Sequence, residues 1–226
     1  MPKITSFASR GKALLRRFRD DRSGVAFIEF AYSLPILIPL TIFGLEAANL
    51  ALVNMRVSQI ATMVADNAAR VRDRIDESDI NNILLGAKLS GDSISLLEKG
   101  RVVIASVEDN IATTADTTDS VVVWQRCDGV YAPSSTTTTQ GGVYPGGVGK
   151  TGNKIIPTTN APIIFVEVYY EVPLLVPDFS SVMFGDNRTI RYSSAFIIRD
   201  RNDHVMKNNG GLSAANKATC DLYNAT

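Results

Sequence analysis

The most apolar part of the chain lies near its N-terminus. Residues 25–45 carry one formal charge, Glu29, and contain Pro35 and Pro39. A helix of this length would reach roughly 30 Å, the thickness of a bilayer core. Membrane helices tolerate proline because neighbouring groups satisfy the freed carbonyls. The pattern therefore predicts a transmembrane helix, and a long buried core helix is the alternative.

A second helical pattern follows directly. In residues 46–76 apolar positions such as Leu52, Ile60 and Val64 recur mostly at steps of three and four, and many alanines permit close packing. This predicts an amphipathic stalk helix continuous with the membrane segment. The charged run 72–77 is expected to be a solvated helix end, and Ser78 is expected to cap a second short helix that ends near Gly86 or Gly91.

Strand patterns occupy the rest of the chain. The expected strands are residues 93–97 and 101–107, joined as a hairpin, and residues 119–126, 163–172 and 189–198. Alternation in the fourth of these indicates a strand with one buried face. Short successive strands favour an antiparallel sheet, so the expected fold is α+β, with the long N-terminal helix packed on a sheet in a head formed by residues 77–226.

Two connections in this head have distinctive compositions. Residues 132–162 are rich in Thr, Gly, Pro and Ser, which predicts a long flexible surface loop with little regular structure. Residues 173–177, Pro-Leu-Leu-Val-Pro, form an apolar connection. Two interpretations are open: this connection lies close to the membrane or to a partner, or it is an ordinary apolar loop.

Charge adds a direction to this picture. The chain has 23 basic and 23 acidic residues and is 45% apolar, which excludes bulk disorder and gives no reason to expect nucleic acid as a partner. Residues 1–24, however, hold seven basic and two acidic residues. A basic N-terminal flank predicts that this end stays in the cytoplasm and that the chain beyond residue 45 crosses the membrane. Two other kinds of leader are less favoured. A cleavable secretory signal would need a small-x-small cleavage site, which is poor here, and a mitochondrial transit peptide would avoid acidic residues such as Asp20 and Asp21.

The junction of leader and apolar segment carries a motif. The sequence Gly24-Val25-Ala-Phe-Ile-Glu29-Phe30-Ala31 is followed by Leu-Pro35 and later by Phe-Gly-Leu-Glu46. Over residues 22 to about 65 the chain resembles type IV prepilins, and more narrowly the TadE/TadF-like minor pilins of tight adherence (Flp-type IVb) pili. The choice between TadE and TadF stays open.

The resemblance implies a function in assembly. A prepilin peptidase would cut between Gly24 and Val25, which makes Glu29 the fifth residue of the mature protein, and Glu29 and Phe30 would serve assembly. The expected partners are that peptidase, other pilins and pilus assembly proteins of the bacterial inner membrane. The fold would be pilin-like, with the head in the periplasm or carried into the extracellular pilus. The competing hypothesis is a signal-anchored envelope binding module or adhesin outside any pilus.

Glu29 has a physical reason to need a partner. A carboxylate at the centre of a membrane helix is unfavourable by roughly 2.5–3.5 kcal/mol, and by less near the interface. In pilin families the α-amino group freed by cleavage, here that of Val25, is thought to meet the Glu of a neighbouring subunit. Such pairing would compensate both charges. The alternative places Glu29 at the headgroup boundary.

Cys127 and Cys220 are the two cysteines of the chain, and both lie on the expected translocated side. An oxidising compartment favours a disulfide between them that ties the tail to the third predicted strand. The alternative is two free thiols.

Other chemistry is weakly represented. Residues 145–151, Pro-Gly-Gly-Val-Gly-Lys-Thr, resemble the deviant phosphate-binding loop of ParA-type ATPases, but neither a strand precedes them nor a helix follows. His204 lacks a second histidine to complete a metal site, and Asp76, Glu77 and Asp79 are expected to be helix-end charges rather than calcium ligands. No Gly-x-Ser-x-Gly motif occurs. We therefore expect that the protein binds no nucleotide, metal or cofactor and that it has no enzymatic activity.

Overall fold

The computed structural model describes residues 24–110, 119–133, 138–159, 161–177, 181, 188–199 and 204–224. The leader predicted for residues 1–24 lies outside them, apart from Gly24. The chain forms two compact units, Met1–Ala47 and Ala48–Thr226. The helices are α1 (Val25–Arg70), α2 (Glu77–Gly91) and α3 (Leu96–Lys99), with 3₁₀ turns at Asp92–Ile94 and Ala214–Asn216. The strands are β1 (Gly100–Asp109), β2 (Ser120–Asp128), β3 (Val143–Tyr144), β4 (Val148–Lys150), β5 (Asn153–Ile155), β6 (Ile163–Glu171) and β7 (Thr189–Ile197).

Helix α1 contains both predicted helical patterns in one run of 46 residues, with Pro35 and Pro39 inside it. It ends at Arg70 rather than at residue 76. Asp73 adopts a φ of 57°, in the left-handed region, which a right-handed helix cannot continue through. The predicted stalk is therefore shorter than its apolar periodicity indicated.

Helix α2 begins with a capping box. The Asp76 side chain accepts a hydrogen bond from the Ser78 backbone amide, and the Asp79 side chain accepts one from the Asp76 amide at 3.0 Å. This arrangement satisfies amides that the first helical turn leaves open. The predicted cap, Ser78, lies inside the helix instead. The helix ends at Gly91, the second of the two predicted ends.

The head contains a five-stranded antiparallel sheet in the order β3-β2-β1-β6-β7. This confirms the α+β layout with an antiparallel sheet. The hairpin predicted for residues 93–107 is wrong. Strand β1 pairs with β2 on one side and β6 on the other, so residues 93–97 have no edge to join. They form a 3₁₀ turn and the start of α3, with Ser95 at a φ of 50° and Leu96 and Leu97 buried.

The main core lies between the Ala48–Arg70 part of α1 and one face of this sheet. It contains Val57, Ile60 and Val64 of α1, and its strand members are Val102, Ile104, Trp124, Ile164, Val166, Val168 and Tyr170. Burying these side chains accounts for the periodicity that predicted the stalk.

The second face of the sheet is covered as well. Phe165 and Val107 form a cluster with Val148, which belongs to the β4–β5 hairpin. Strand β6 is therefore buried on both faces from Ile163 to Tyr170, and the prediction of one buried face is wrong. The same hairpin corrects the expectation that residues 132–162 hold little regular structure, since β3, β4 and β5 all fall within that range.

Candidate functional site

The predicted processing site lies at the first turn of α1. Gly24 occupies a turn, and its carbonyl accepts a hydrogen bond from the Ile28 amide at 3.1 Å. Gly24 and Val25 are both exposed, and apart from the neighbouring backbone no atom of the described residues lies within 4 Å of the position that a Gly24 side chain would occupy. Within the described part of the chain, nothing therefore packs against Gly24.

Glu29 and Phe30, the predicted assembly residues, follow one turn later and are both exposed. Phe27 and Tyr32, close to them in sequence, are each 79% exposed, so the first turns of the helix carry uncovered aromatic surface. Val25 and Glu29 are four residues apart, which places them on one face of the helix. A charge at the N-terminus of Val25 would thus lie close to a carboxylate.

The apolar segment of α1 differs from a core helix in its exposure. Only 11% of its most apolar window is buried, and by length and composition the helix could cross a membrane. Two of its hydroxyl groups bond internally: Ser33 donates to the Phe30 carbonyl at 2.7 Å and Thr41 donates to the Leu37 carbonyl at 2.8 Å. Such bonds satisfy hydroxyls that would have no water partner in lipid.

In the head, the predicted disulfide between Cys127 and Cys220 is present, with the two Cα atoms 4.8 Å apart. The bridge belongs to a wider attachment of the tail to β2. The Cys127 amide donates to the Ala218 carbonyl at 2.8 Å, and the Gly129 amide donates to the Asn224 carbonyl at 3.0 Å. The tail is therefore fixed by covalent and backbone contacts together.

Arg101 strengthens this attachment from β1. Its guanidinium donates to the Gly129 carbonyl at 2.8 Å and the Cys220 carbonyl at 2.7 Å, and it lies 4.1 Å from the centre of the Tyr223 ring. Burial lowers the pKa of Arg101, while the charges of Tyr223, Asp128 and Asp221 act in the opposite direction. The part played by Arg101 could not be predicted from the sequence, because its acceptors are backbone carbonyls that no side-chain pattern reveals.

A buried ion pair connects α2 to the sheet. Arg126 donates through Nε to Glu77 Oε2 at 2.7 Å, and its Nη2 contacts Glu77 Oε1. Glu77 is 2% exposed and Arg126 is 8% exposed. The expectation that Glu77 is a solvated helix-end charge is therefore wrong. Its partner lies 49 residues away, beyond the reach of local pattern analysis.

A second buried ion pair lies on the other face of the sheet. Glu167 of β6 is fully buried and accepts from Arg191 of β7, at 3.1 Å from Nε and 2.5 Å from Nη2. The Tyr169 hydroxyl also donates to Glu167 at 3.3 Å, and Arg191 lies 5.5 Å from the centre of the Tyr169 ring. An acid in an otherwise apolar strand was the sequence signal for this pair.

His204 is partly buried. Its carbonyl accepts a hydrogen bond from Trp124 Nε1 at 2.9 Å, and its Nδ1 lies 3.9 Å from Glu108 Oε1. Within the described residues no three His, Cys, Asp or Glu side chains group as metal ligands. The backbone of His204 thus joins the segment that begins at residue 204 to Trp124 of β2.

Residues 145–151 form part of a β-hairpin. Lys150 ends β4 and pairs with Asn153 of β5, and Gly152 occupies the turn between them. A phosphate-binding loop needs a helix N-terminus after its lysine. Here a strand follows, so the geometry of that loop is not formed.

Comparison with protein-family models, with curated proteins and with solved structures gave no match to this chain. The class of protein is accordingly defined by the fold and contacts alone. It is an α+β protein with a disulfide-bonded head and one N-terminal helix that could span a membrane.

Proposed function

We propose that the chain is a minor pilin-like subunit of the TadE/TadF-like group that supports assembly of a tight adherence pilus, by priming or capping it. In this proposal a prepilin peptidase cuts between Gly24 and Val25, and residues 25–45 anchor the product in the bacterial inner membrane. The observation that carries the proposal is an exposed apolar segment, residues 25–45, that begins the helix directly after Gly24 and holds one carboxylate, Glu29.

The two sides of this helix favour opposite compartments. Seven basic residues precede it within residues 1–24, which favours a cytoplasmic N-terminus. The Cys127–Cys220 disulfide follows it, and such bonds persist in oxidising compartments such as the periplasm. Both features support a single-pass orientation with the head outside the cytoplasm.

Glu29 would act through charge pairing. Cleavage would release the Val25 α-amino group, a cation near neutral pH with an ordinary pKa of about 8. In an apolar medium an unpaired carboxylate is costly, and an opposite charge offsets that cost. In the proposed assembly the amine of one subunit meets Glu29 of its neighbour, while Phe30 and the surrounding apolar side chains pack helix against helix.

The test is Glu29→Gln in the native host, with Glu98→Gln on the exposed surface of the head as the matched control. We expect Glu29→Gln to abolish piliation while leaving protein amount and membrane association unchanged, because it keeps the shape of the side chain and removes its charge. The control should assemble pili normally. Normal piliation with Glu29→Gln would favour the signal-anchored binding module or adhesin instead.

Processing is tested separately by mass spectrometry of the protein from native membranes. An N-terminus at Val25 is the expected result. An intact Met1–Gly24 leader would contradict the proposed cleavage, whatever the result with Glu29.

A further inference from the structure

An apolar loop leaves the sheet after β6. Residues 173–177 read Pro-Leu-Leu-Val-Pro, and Leu175 and Val176 are 54% and 39% exposed. The loop borders an open groove of about 390 Å³ lined by Lys99, Glu171, Val172, Pro173, Leu174 and Pro177. Exposed apolar side chains in succession are typical of a surface that contacts another apolar phase.

This loop lies at one identifiable end of the head. Gly100 at the start of β1 pairs with Tyr170 near the end of β6, and the Tyr170 hydroxyl donates to the Ile94 carbonyl at 2.7 Å. Ile94 in turn lines a groove of about 370 Å³ with Leu52 and Arg56 of α1. The loop, the 3₁₀ turn and the first turns of α1 within the head therefore share the same end of the sheet.

Chain connectivity limits how far this end can lie from the apolar segment. Leu52 comes seven positions after Leu45, and seven residues span at most about 25 Å even when fully extended. Leu52 and Met55 are 67% and 58% exposed, so the first turns of α1 within the head carry uncovered apolar side chains.

From this placement we propose that the head docks onto the bilayer surface, with Leu174, Leu175 and Val176 inserted at the boundary between headgroups and acyl chains and with Leu52 and Met55 beside them. The proposal rests on the proposed membrane insertion of residues 25–45. We assign lipid as the partner of this apolar surface, because the connection through Leu52 keeps this end of the head close to the membrane segment.

Apolar burial, rather than charge attraction, would drive this docking. The exposed Lys99 and Arg56 can meet lipid phosphates, but Glu98 and Glu171 are exposed at the same end and oppose them. Apolar side chains buried at the interface supply binding in proportion to their area. Pro173 and Pro177 restrict the loop, so less conformational entropy is lost when it inserts.

The experiment places a tryptophan in the loop of the full-length protein. Leu175→Trp is reconstituted in phosphatidylcholine liposomes, with either ordinary or brominated acyl chains. The matched control is Val143→Trp, because Val143 is 48% exposed and belongs to β3, which pairs with β2 near the opposite end of β1. The wild type supplies the background of Trp124, the one native tryptophan, which is 2% exposed.

We expect brominated lipid to quench the added emission of Leu175→Trp, and its maximum in ordinary lipid to be blue-shifted relative to that of Val143→Trp, which should not be quenched. Equal emission of Leu175→Trp in both lipids would overturn the docking, and shielding that appears only in native membranes would assign the loop to a protein partner instead. Alkaline extraction of the membranes distinguishes failure of the loop docking from failure of the membrane anchor. Protein that resists extraction without quenching refutes docking alone, whereas protein that is extracted refutes the membrane anchor as well.

Discussion

Removal of the Glu77 carboxylate should destabilise the head by about 3–5 kcal/mol, the cost of breaking a buried ion pair on one side. Both partners are almost fully buried, and the Nε–Oε2 distance is 2.7 Å. In Glu77→Ala, Arg126 would keep two neutral acceptors, the Gln125 carbonyl at 2.6 Å and Gln140 Oε1 at 3.2 Å, but no carboxylate partner among the residues that the structure describes. A buried guanidinium that has only neutral acceptors strongly destabilises the folded state, because its charge is desolvated without compensation.

The size of the effect comes from two opposing contributions. At an effective dielectric constant of about 20, opposite charges 4 Å apart attract by roughly 4 kcal/mol, and the desolvation of both ions offsets much of that. Removing both ions removes the attraction and the desolvation cost together. The double variant Glu77→Met/Arg126→Leu should therefore be close to the wild type in stability, whereas Glu77→Ala alone should not.

The assay is urea unfolding of the full-length protein in detergent, followed by the fluorescence of Trp124, a core residue. The matched control is Asp66→Ala, which removes the exposed Asp66–Arg70 pair of α1, where the side chains are 30% and 67% exposed. That loss should stay within about 0.5 kcal/mol, as for other exposed pairs. A loss below about 1 kcal/mol in Glu77→Ala, or a double variant as unstable as the single one, would refute the reasoning.

Three further predictions concern the same head. Cys220→Ser should cost at most about 4–5 kcal/mol, the loop-closure value for its separation of 93 residues from Cys127. Reductant should destabilise the wild type equally and leave the variant unchanged; an insensitive wild type would contradict the bridge. Hydrogen bonds from the Ser78 and Asn209 amides lower the pKa of Asp76, so its charge contributes stability that is present above its ordinary pKa and is lost as the pH falls through the lowered value. Urea midpoints measured below about pH 4 should therefore depend less on pH in Asp76→Asn than in the wild type, and equal slopes would remove Asp76 from the acid response. Gly129→Ala should destabilise by about 1–3 kcal/mol, because Gly129 has a φ of 110° and a Cβ there would lie 2.4 Å from the Gly100 carbonyl oxygen. The control Gly86→Ala meets open space in a helix and should stabilise by about 0.5–1 kcal/mol; similar losses in both variants would refute the steric cause.

The elements that local sequence predicted correctly are those whose pattern is set by their own residues. Residues 119–126, 163–172 and 189–198 are rich in β-branched and aromatic side chains, and each coincides with a strand to within about two residues. The long helix followed from an uninterrupted apolar run, and the disulfide from the presence of two cysteines alone in the chain. Each of these inferences needed no knowledge of a distant partner.

The errors arose where a distant partner decides the outcome. Residues 93–97 have a strand-like composition, but β1 already has neighbours on both sides, so burial of Leu96 and Leu97 in a helical turn is the available solution. Glu77 resembles its solvated neighbours in sequence and differs from them because Arg126 lies opposite it. Local periodicity contains no information about which strands flank β1 or about which side chain lies opposite Glu77.

The distribution of charge supports an assembly function for Glu29. Two buried acids of the head, Glu77 and Glu167, are each paired with an arginine. Between Gly24 and Arg56, by contrast, the sequence contains no basic side chain, so the span offers Glu29 no lysine or arginine. Before the proposed cleavage, the nearest cations along the chain are those of the leader. After it, the nearest is the Val25 α-amino group, of the same subunit or of a neighbour. Cleavage would thus replace the cations of the leader with a single cation at the end of the helix, the Val25 α-amino group. Because assembly is proposed to depend on pairing of that amine with Glu29, removal of the leader would be a precondition of assembly.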